Sequence, residues 1–352
     1  MLYRYSMKPD RATIDTVAAA CGLSRTTVSA VLRGDADRYR IAQATAARVR
    51  AAAEKLGWKA NFFARSLNRK RTGTIGVLFP DVFENFMGGT VRGIEEALTA
   101  ADCRMLLSTS RFDPAEELRA VEAFSYRGVD GLIVAPYSPF SGEPARGAEL
   151  AAAIGDTPCV VIDRTVDGLD PAALGYGFVG QADRKAAREA TAELAREGRR
   201  VAFLGFDLTA SSLRERRAGY REAAAELGFE PEELLLRERN PESADVADGV
   251  RAVMAAPGAP GAWLVSTEGL AYKLAAVLRD LGLRGGADVR VGRFGIDPPW
   301  LETGLLGLRQ PHRELGRTAA ELLLGPADRL AASIELPVEI VREQKSTSGG
   351  SI

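Results

Sequence analysis

The chain has 352 residues, a formal net charge of −1 and 46% hydrophobic residues. That length exceeds one compact domain and suits a small domain beside a core of about 270–280 residues, itself split in two. Cys21, Cys103 and Cys159 are too few and too scattered for a disulfide framework or a metal site. With no apolar leader and no apolar run of the ~18 residues a membrane helix needs, a cytoplasmic protein without membrane contact is expected.

Charge is divided unevenly. Residues 1–71 carry fifteen basic and five acidic residues, a net of +10, and the remainder carries thirty-one and forty-two, a net of −11. A basic N-terminal segment on an acidic body is the electrostatic footprint of a nucleic-acid-binding head beside a separate domain. Within it, residues 12–34 read ATIDTVAAACGLSRTTVSAVLRG. Ala18, Gly22 and Val28 are spaced by four and then six residues, as a helix-turn-helix requires. The small residue lets two helices cross closely, the glycine supplies a positive-φ turn, and the valine buries the second helix against the first. Ser24 is placed to cap that second helix, so Arg25, Thr26 and Thr27 fall in its first turn, which meets base edges in the major groove. A third helix is predicted over Ile41–Leu56, with Ile41, Thr45, Val49, Ala52 and Leu56 as its apolar stripe and Gly57 as its stop. Residues 58–73, WKANFFARSLNRKRTG, hold a helical stretch too short to be stable alone, then Asn68, Arg69, Lys70 and Arg71, which can hold phosphates.

From residue 74 short β-rich runs alternate with helical ones. TIGVLF (74–79), RMLLST (104–109), DGLIVAP (130–136) and PCVVID (158–163) read as buried strands, with helices near 86–101 and 114–127. RVAFLGF (200–206), AWLVST (262–267), VRVGRF (289–294) and LLGLRQ (305–310) form a second series. Its helices fall near 183–197, 212–227, 244–256, 268–281 and 312–324. This alternation predicts two doubly wound parallel sheets in series, a bilobed α/β core that binds ligands at the carboxyl ends of its strands. Glu116-Glu117 and Glu232-Glu233 are expected in first turns of helices, where they complement the helix dipole. The single histidine, His312, has no Ser or Cys nucleophile pattern beside it, and no glycine-rich phosphate loop is present, so neither catalysis nor a cofactor is expected.

Head, linker and core in this order resemble the lactose-repressor (LacI/GalR) family of bacterial transcription regulators over nearly the whole chain. The resemblance implies an all-α helix-turn-helix DNA-binding head (residues 1–57), a hinge helix and linker (58–73) and a bilobed periplasmic-binding-protein-like core (74–344). Residues 345–352, polar and rich in Gly and Ser, are expected to be a disordered tail. It further implies a homodimer on a palindromic double-stranded DNA operator, most often a repressor, controlled by a small-molecule effector. The implied DNA contacts in the head are Thr13, Ser24, Arg25, Thr26, Thr27 and Ser29. In the hinge they are Asn61, Ala64, Arg65 and Leu67 of the N-x-x-A-R-S-L pattern, the leucine acting as a minor-groove wedge. Two positions depart: Ala60 stands where a proline often precedes the hinge asparagine, and Ala30 where T-V-S-R-V has its arginine. The operator sequence therefore does not transfer.

In the core the resemblance implies an effector site at Asp81, Asn85 and Phe86 after the first strand, at Arg164 of the Asp163-Arg164 pair, at Arg216 of R-R-A-G-Y, and at Gln310 before Pro311. The cleft departs from the family at Thr267-Glu268, which replaces Asn-Asp, and at Ala182-Asp183, which replaces Asp-Asn. Gly295-Ile296-Asp297 fits the family's G-[FY]-D only with a longer strand. Arg216 presents a fork of donors, and Glu268 and Asp297 could take hydroxyl or amine groups opposite it, so a small polar effector of either charge type is expected. A regulator of the same architecture with no effector is the alternative. A solute-binding protein is a remoter one, opposed by the attached head.

Overall fold

The computed structural model describes residues 12–58, 71–81, 85–238, 243–295 and 305–342, with residues 85, 86, 243 and 244 described by backbone alone. The chain divides into two compact units, Met1–Thr72 and Gly73–Ile352.

In the first unit, α1 (Ile14–Cys21), α2 (Arg25–Arg33) and α3 (Gln43–Lys55) close around Val17, Val28, Val31, Ala46, Val49 and Ala53. Thr13 and Thr16 cap α1 reciprocally, each hydroxyl accepting from the other's backbone N–H, at 3.2 and 2.8 Å. Gly22 ends α1 at φ 61°, a left-handed turn that side-chain-bearing residues resist. Ser24 Oγ accepts from the Thr27 N–H at 3.1 Å and starts α2. The buried face of α3 is Ala46, Val49 and Ala53; of the predicted stripe Val49 is buried, Ile41 and Ala52 pack partly against that core, and Thr45 is half-buried. Its alanines let the helix approach its neighbours closely, and Leu56 falls past the last turn and is exposed.

The second unit begins with β1 (Thr74–Phe79), α4 (Asn85–Ala100), β2 (Arg104–Thr109), α5 (Pro114–Tyr126), β3 (Gly131–Val134), α6 (Gly147–Ile154), β4 (Cys159–Ile162), α7 (Pro171–Leu174) and β5 (Gly177–Gln181). It continues with α8 (Asp183–Leu194), β6 (Val201–Phe206), α9 (Ser211–Leu227), β7 (Glu232–Leu236), α10 (Ser243–Ala255), β8 (Ala262–Val265), α11 (Glu268–Asp280), β9 (Arg290–Phe294) and β10 (Leu305–Arg309). The last elements are α12 (His312–Leu324), β11 (Ser333–Leu336) and β12 (Glu339–Arg342). They form two six-stranded sheets, ordered β11-β5-β4-β3-β1-β2 and β12-β10-β9-β8-β6-β7, with an apolar core on each face of both sheets. The chain therefore crosses between lobes three times, after β5, after β10 and after β11.

All pairings are parallel except β12 against β10. The exception follows from the last crossing: β11 runs toward the cleft, so the chain enters the second lobe from the cleft side and runs away from it. Glu232 and Glu233 are in β7 rather than at a helix start. The segment EELLL lies along the sheet edge under α9, where Arg217 and Arg221 both donate to the Glu233 carboxylate. Among the described residues no helix is long and apolar enough to cross a membrane.

Candidate functional site

In the first unit, Arg25 and Thr26 stand exposed in the first turn of α2, with Thr27 and Ser29 half-buried behind them. The hydroxyls of Thr13, Ser24 and Thr27 hold helix ends, Ser24 Oγ and Thr27 Oγ1 being 2.8 Å apart. Asp15 Oδ2 lies 3.4 Å from Arg25 Nη1. Asn61, Ala64, Arg65 and Leu67 lie outside the described residues.

In the second unit the polar side chains gather where strands of both lobes end. At the end of β4, Asp163 adopts φ 65°, a left-handed conformation that aspartate tolerates better than most residues. Its carboxylate accepts from Arg164 Nε at 2.7 Å and from Gln181 Nε2 at 3.1 Å. Gln181, at the end of β5, accepts in turn from Gln310 Nε2 at 3.0 Å, which carries the chain of hydrogen bonds into the second lobe. Gln310 and Glu268 both border Gly295: a Cβ there would lie 3.8 Å from Gln310 Oε1 and 3.6 Å from Glu268 Oε2.

Arg216, in the second turn of α9, is buried. Its Nε donates to Asp183 Oδ1 at 2.8 Å, its Nη1 donates to the Ser266 carbonyl at 2.6 Å, and its guanidinium lies 4.2 Å from the Phe294 ring centroid. The expected outward fork is thus largely engaged within the protein. Burial pushes the Asp183 carboxyl up to about 6; Arg216 pulls it down, while Asp163 and Glu335 add to the rise. Glu268, the first residue of α11, accepts from Tyr272 Oη at 2.8 Å and stands 3.6 Å from Nη1 of Arg293, a buried arginine on β9. Arg293 also lies over the Tyr272 ring. Asp81 follows β1 in the first lobe, separated from β4 by β3. Asn85 and Phe86 open α4, and Asp297 lies outside the described residues.

A second set of contacts joins the lobes. Phe140 and Leu208 form an antiparallel bridge, flanked by Ser141 N–H donating to the Asp207 carbonyl and Thr209 N–H donating to the Pro139 carbonyl, both at 2.9 Å. Thr165 and Ser211 exchange hydrogen bonds, and Arg214 pairs with Asp167 at 2.7 Å. The strap that carries Phe140 is anchored from below. Glu117, buried in the first turn of α5, accepts from the Tyr137 N–H at 2.5 Å. Burial pushes the Glu117 carboxyl up to about 7, against the pull of that amide.

Residues 72–335 match the family described as "Periplasmic binding proteins and sugar binding domain of LacI family", and residues 13–61 match "Bacterial regulatory proteins, lacI family". The chain is 32% identical over 323 residues to the HTH-type transcriptional regulator PtxS of Pseudomonas aeruginosa, covering 89% of this chain and 88% of that one. The chain belongs to the LacI family of bacterial regulatory proteins. It is also 27% identical over 321 residues to the HTH-type transcriptional repressor PurR of Photobacterium profundum, covering 89% of this chain and 91% of that one. Among solved structures it resembles a LacI-family regulator from Silicibacter pomeroyi, with a TM-score of 0.70 and 25% identity over 94% of this chain and 98% of that one. The fold is also that of the lac repressor dimer bound to operator and the anti-inducer ONPF, with a TM-score of 0.80 at 22% identity over 95% and 98% of the two chains. It is thus a transcriptional regulator with a DNA-binding domain, in a family of regulators rather than enzymes.

Seen within the LacI family, R-R-A-G-Y separates into parts. Arg216 is buried against Asp183 and the Ser266 carbonyl. Gly219 lets α9 pass close to α8, since a Cβ there would stand 2.1 Å from the Arg184 carbonyl oxygen, and Tyr220 is a buried wedge whose hydroxyl binds the Val201 carbonyl. Ala30, at the family's arginine position, is buried. Sequence reasoning did not single out Gln181, Arg293 or Tyr272. Arginine in the apolar run VRVGRF was a legible signal, whereas Gln181 lies in a glycine-rich strand, GFVGQ, with little β character.

Proposed function

We propose that this regulator binds a palindromic operator as a homodimer, with Arg25 and Thr26 reading base edges, and that a small polar molecule between the lobes changes its affinity for DNA. The Thr13 and Ser24 caps support the head by holding the helix ends that phosphates approach. Asn61, Ala64, Arg65 and Leu67 complete the DNA contacts through the hinge. The observation that carries the effector reading is the chain of polar groups from buried Arg164 and Asp163 through buried Gln181 to half-buried Gln310, which runs from one lobe to the other at the strand ends. A ligand there touches both lobes, so it favours one lobe arrangement and couples to DNA affinity by linkage.

The charges point to the effector class. Arg164 faces Asp163, Arg216 faces Asp183, and Arg293 faces Glu268. Each cation is answered by a carboxylate, which suits a neutral hydroxyl-rich molecule better than a strongly anionic one. A second reading, regulation without an effector, has its own support: the lobes are already joined by the Phe140–Leu208 bridge. Thermal-shift screening of the full chain against neutral sugars, carboxylates and amines separates the two. The first reading expects a compound that raises the unfolding temperature and alters operator affinity, with sugars leading. A panel with no stabilising compound supports the second.

A further inference from the structure

Arg25 opens α2 beside a carboxylate. Asp15, in the first turn of α1, places Oδ2 3.4 Å from Arg25 Nη1, and both side chains are well exposed. In the first turn of α1 the acid complements the helix dipole, yet on a surface that approaches phosphates a carboxylate opposes DNA binding. Arg25 is out of place by itself, as a cation at the positive end of a helix. Their pairing answers both and gives the guanidinium a direction. With Nη1 turned to Asp15, the Nε–Nη2 edge faces away, and its two parallel donors match the N7 and O6 acceptors of guanine.

We infer that Asp15 is a positioning residue for base reading: its carboxylate, 3.4 Å from Arg25, aims the guanidinium at a base edge and restrains it from moving to a phosphate. The inference rests on the proposed reading of Arg25 as a base contact. Asp15 acts through Arg25 and does not itself touch DNA. Because exposed ion pairs contribute little, the expected effect on base discrimination is about two- to fivefold.

The test uses the full chain and the variants Arg25→Ala, Asp15→Asn and Asp15→Glu. Each is selected against a duplex library with randomised palindromic half-sites, then titrated at several salt concentrations on the selected duplex and on a scrambled one. Circular dichroism checks that each variant is folded. Arg25→Ala should flatten the preference at one symmetric pair of positions. Asp15→Asn should weaken discrimination at those same positions by about two- to fivefold. It should also tighten binding to the scrambled duplex and steepen its salt dependence by about one phosphate contact. Asp15→Glu should restore the wild-type pattern. Unaltered preference in Asp15→Asn overturns the inference and leaves the reading of Arg25 standing. An Asp15→Asn effect spread evenly over all positions also overturns it, since that is the behaviour of a helix-end charge alone. An Arg25→Ala variant with no altered position overturns both.

Discussion

The Arg216–Asp183 pair yields a stability prediction with a pH signature. Asp183 has its carboxyl raised from 3.8 to about 6 by burial, although Arg216 lies 2.8 Å away. A carboxylate raised in the folded state releases stability as pH climbs from its unfolded value to its folded one. Ionising Asp183 in the wild type therefore costs about 3 kcal/mol by pH 7, at about 1.4 kcal/mol per unit. Removing the arginine removes the main charge that favours the ionised form, so in Arg216→Met the folded carboxyl stays protonated past pH 7 and the loss continues. At pH 7 that loss exceeds the wild type's by about 1 kcal/mol. At pH 5, where the wild-type group is itself mostly protonated, the two chains differ by almost nothing from this source. Methionine keeps an apolar stem near Phe294, and the orphaned Ser266 carbonyl adds a pH-independent penalty of about 1–3 kcal/mol. Urea unfolding at pH 5, 6, 7 and 8 of the wild type, Arg216→Met, Asp183→Asn and the double variant measures both parts. The gap between Arg216→Met and wild type should widen by about 1 kcal/mol from pH 5 to 7. In the Asp183→Asn background that widening should vanish. A gap that is flat with pH, or one that widens equally without Asp183, refutes the reasoning.

Glu117 follows the same sign rule: with its folded value near 7 and its ordinary value 4.5, ionisation costs about 3 kcal/mol above pH 7. Glu117→Gln keeps an acceptor for the Tyr137 amide and should escape that loss, so its urea midpoint should exceed that of the wild type at pH 8; parallel pH profiles would refute this. Gly219→Ala places a Cβ against the Arg184 backbone carbonyl and should destabilise the core by about 1–3 kcal/mol, read from the unfolding midpoint; an unchanged midpoint would mean that α8 and α9 separate freely. Operator affinity should fall roughly 10³-fold between 50 and 200 mM salt, measured by fluorescence anisotropy, because two basic heads displace many counterions; a flat salt profile would contradict the phosphate contacts proposed for the head.

Most of the fold was legible because its central strands are apolar on both faces. TIGVLF and AWLVST fall where the pattern predicts them, with strands at Thr74–Phe79 and Ala262–Val265, whereas RMLLST forms its strand at Arg104–Thr109 but on a sheet edge, half-buried to exposed rather than buried. The strands that escaped notice are β5, β7, β11 and β12. Three of these, β7, β11 and β12, lie at sheet edges, where one side needs no apolar neighbour and sequences such as EELLL and EIVR suffice. The third helix was legible in existence and only partly in phase: Val49 is buried and Ala52 packs against the core, but Ala46 and Ala53 were missed. Ala46 and Ala53 bury themselves by close approach, and alanine gives a weaker periodic signal than the leucine at position 56, which is exposed.

The polar residues proposed for the site could be named from the sequence, but most of their pairings could not. Arg164 and Gln310 could be placed at strand ends, and Arg216 and Glu268 in helices, by motif; Arg164 pairs with its neighbour Asp163, but Gln310 and Arg216 find their partners only through the fold. Gln310 meets Gln181 across 129 positions, and Arg216 meets Asp183 across 33. The pairings change what the residues mean. An arginine read alone offers its donors to a ligand, whereas Arg216 already uses Nε and Nη1 on Asp183 and the Ser266 carbonyl. On the proposed reading, a ligand that engages those nitrogens must exchange hydrogen bonds that hold α9 to the start of α8 and the end of β8. Its binding then necessarily disturbs the segment that follows the first crossing between lobes, and a disturbance at a crossing is the kind of differential contact that lets ligand affinity depend on lobe arrangement.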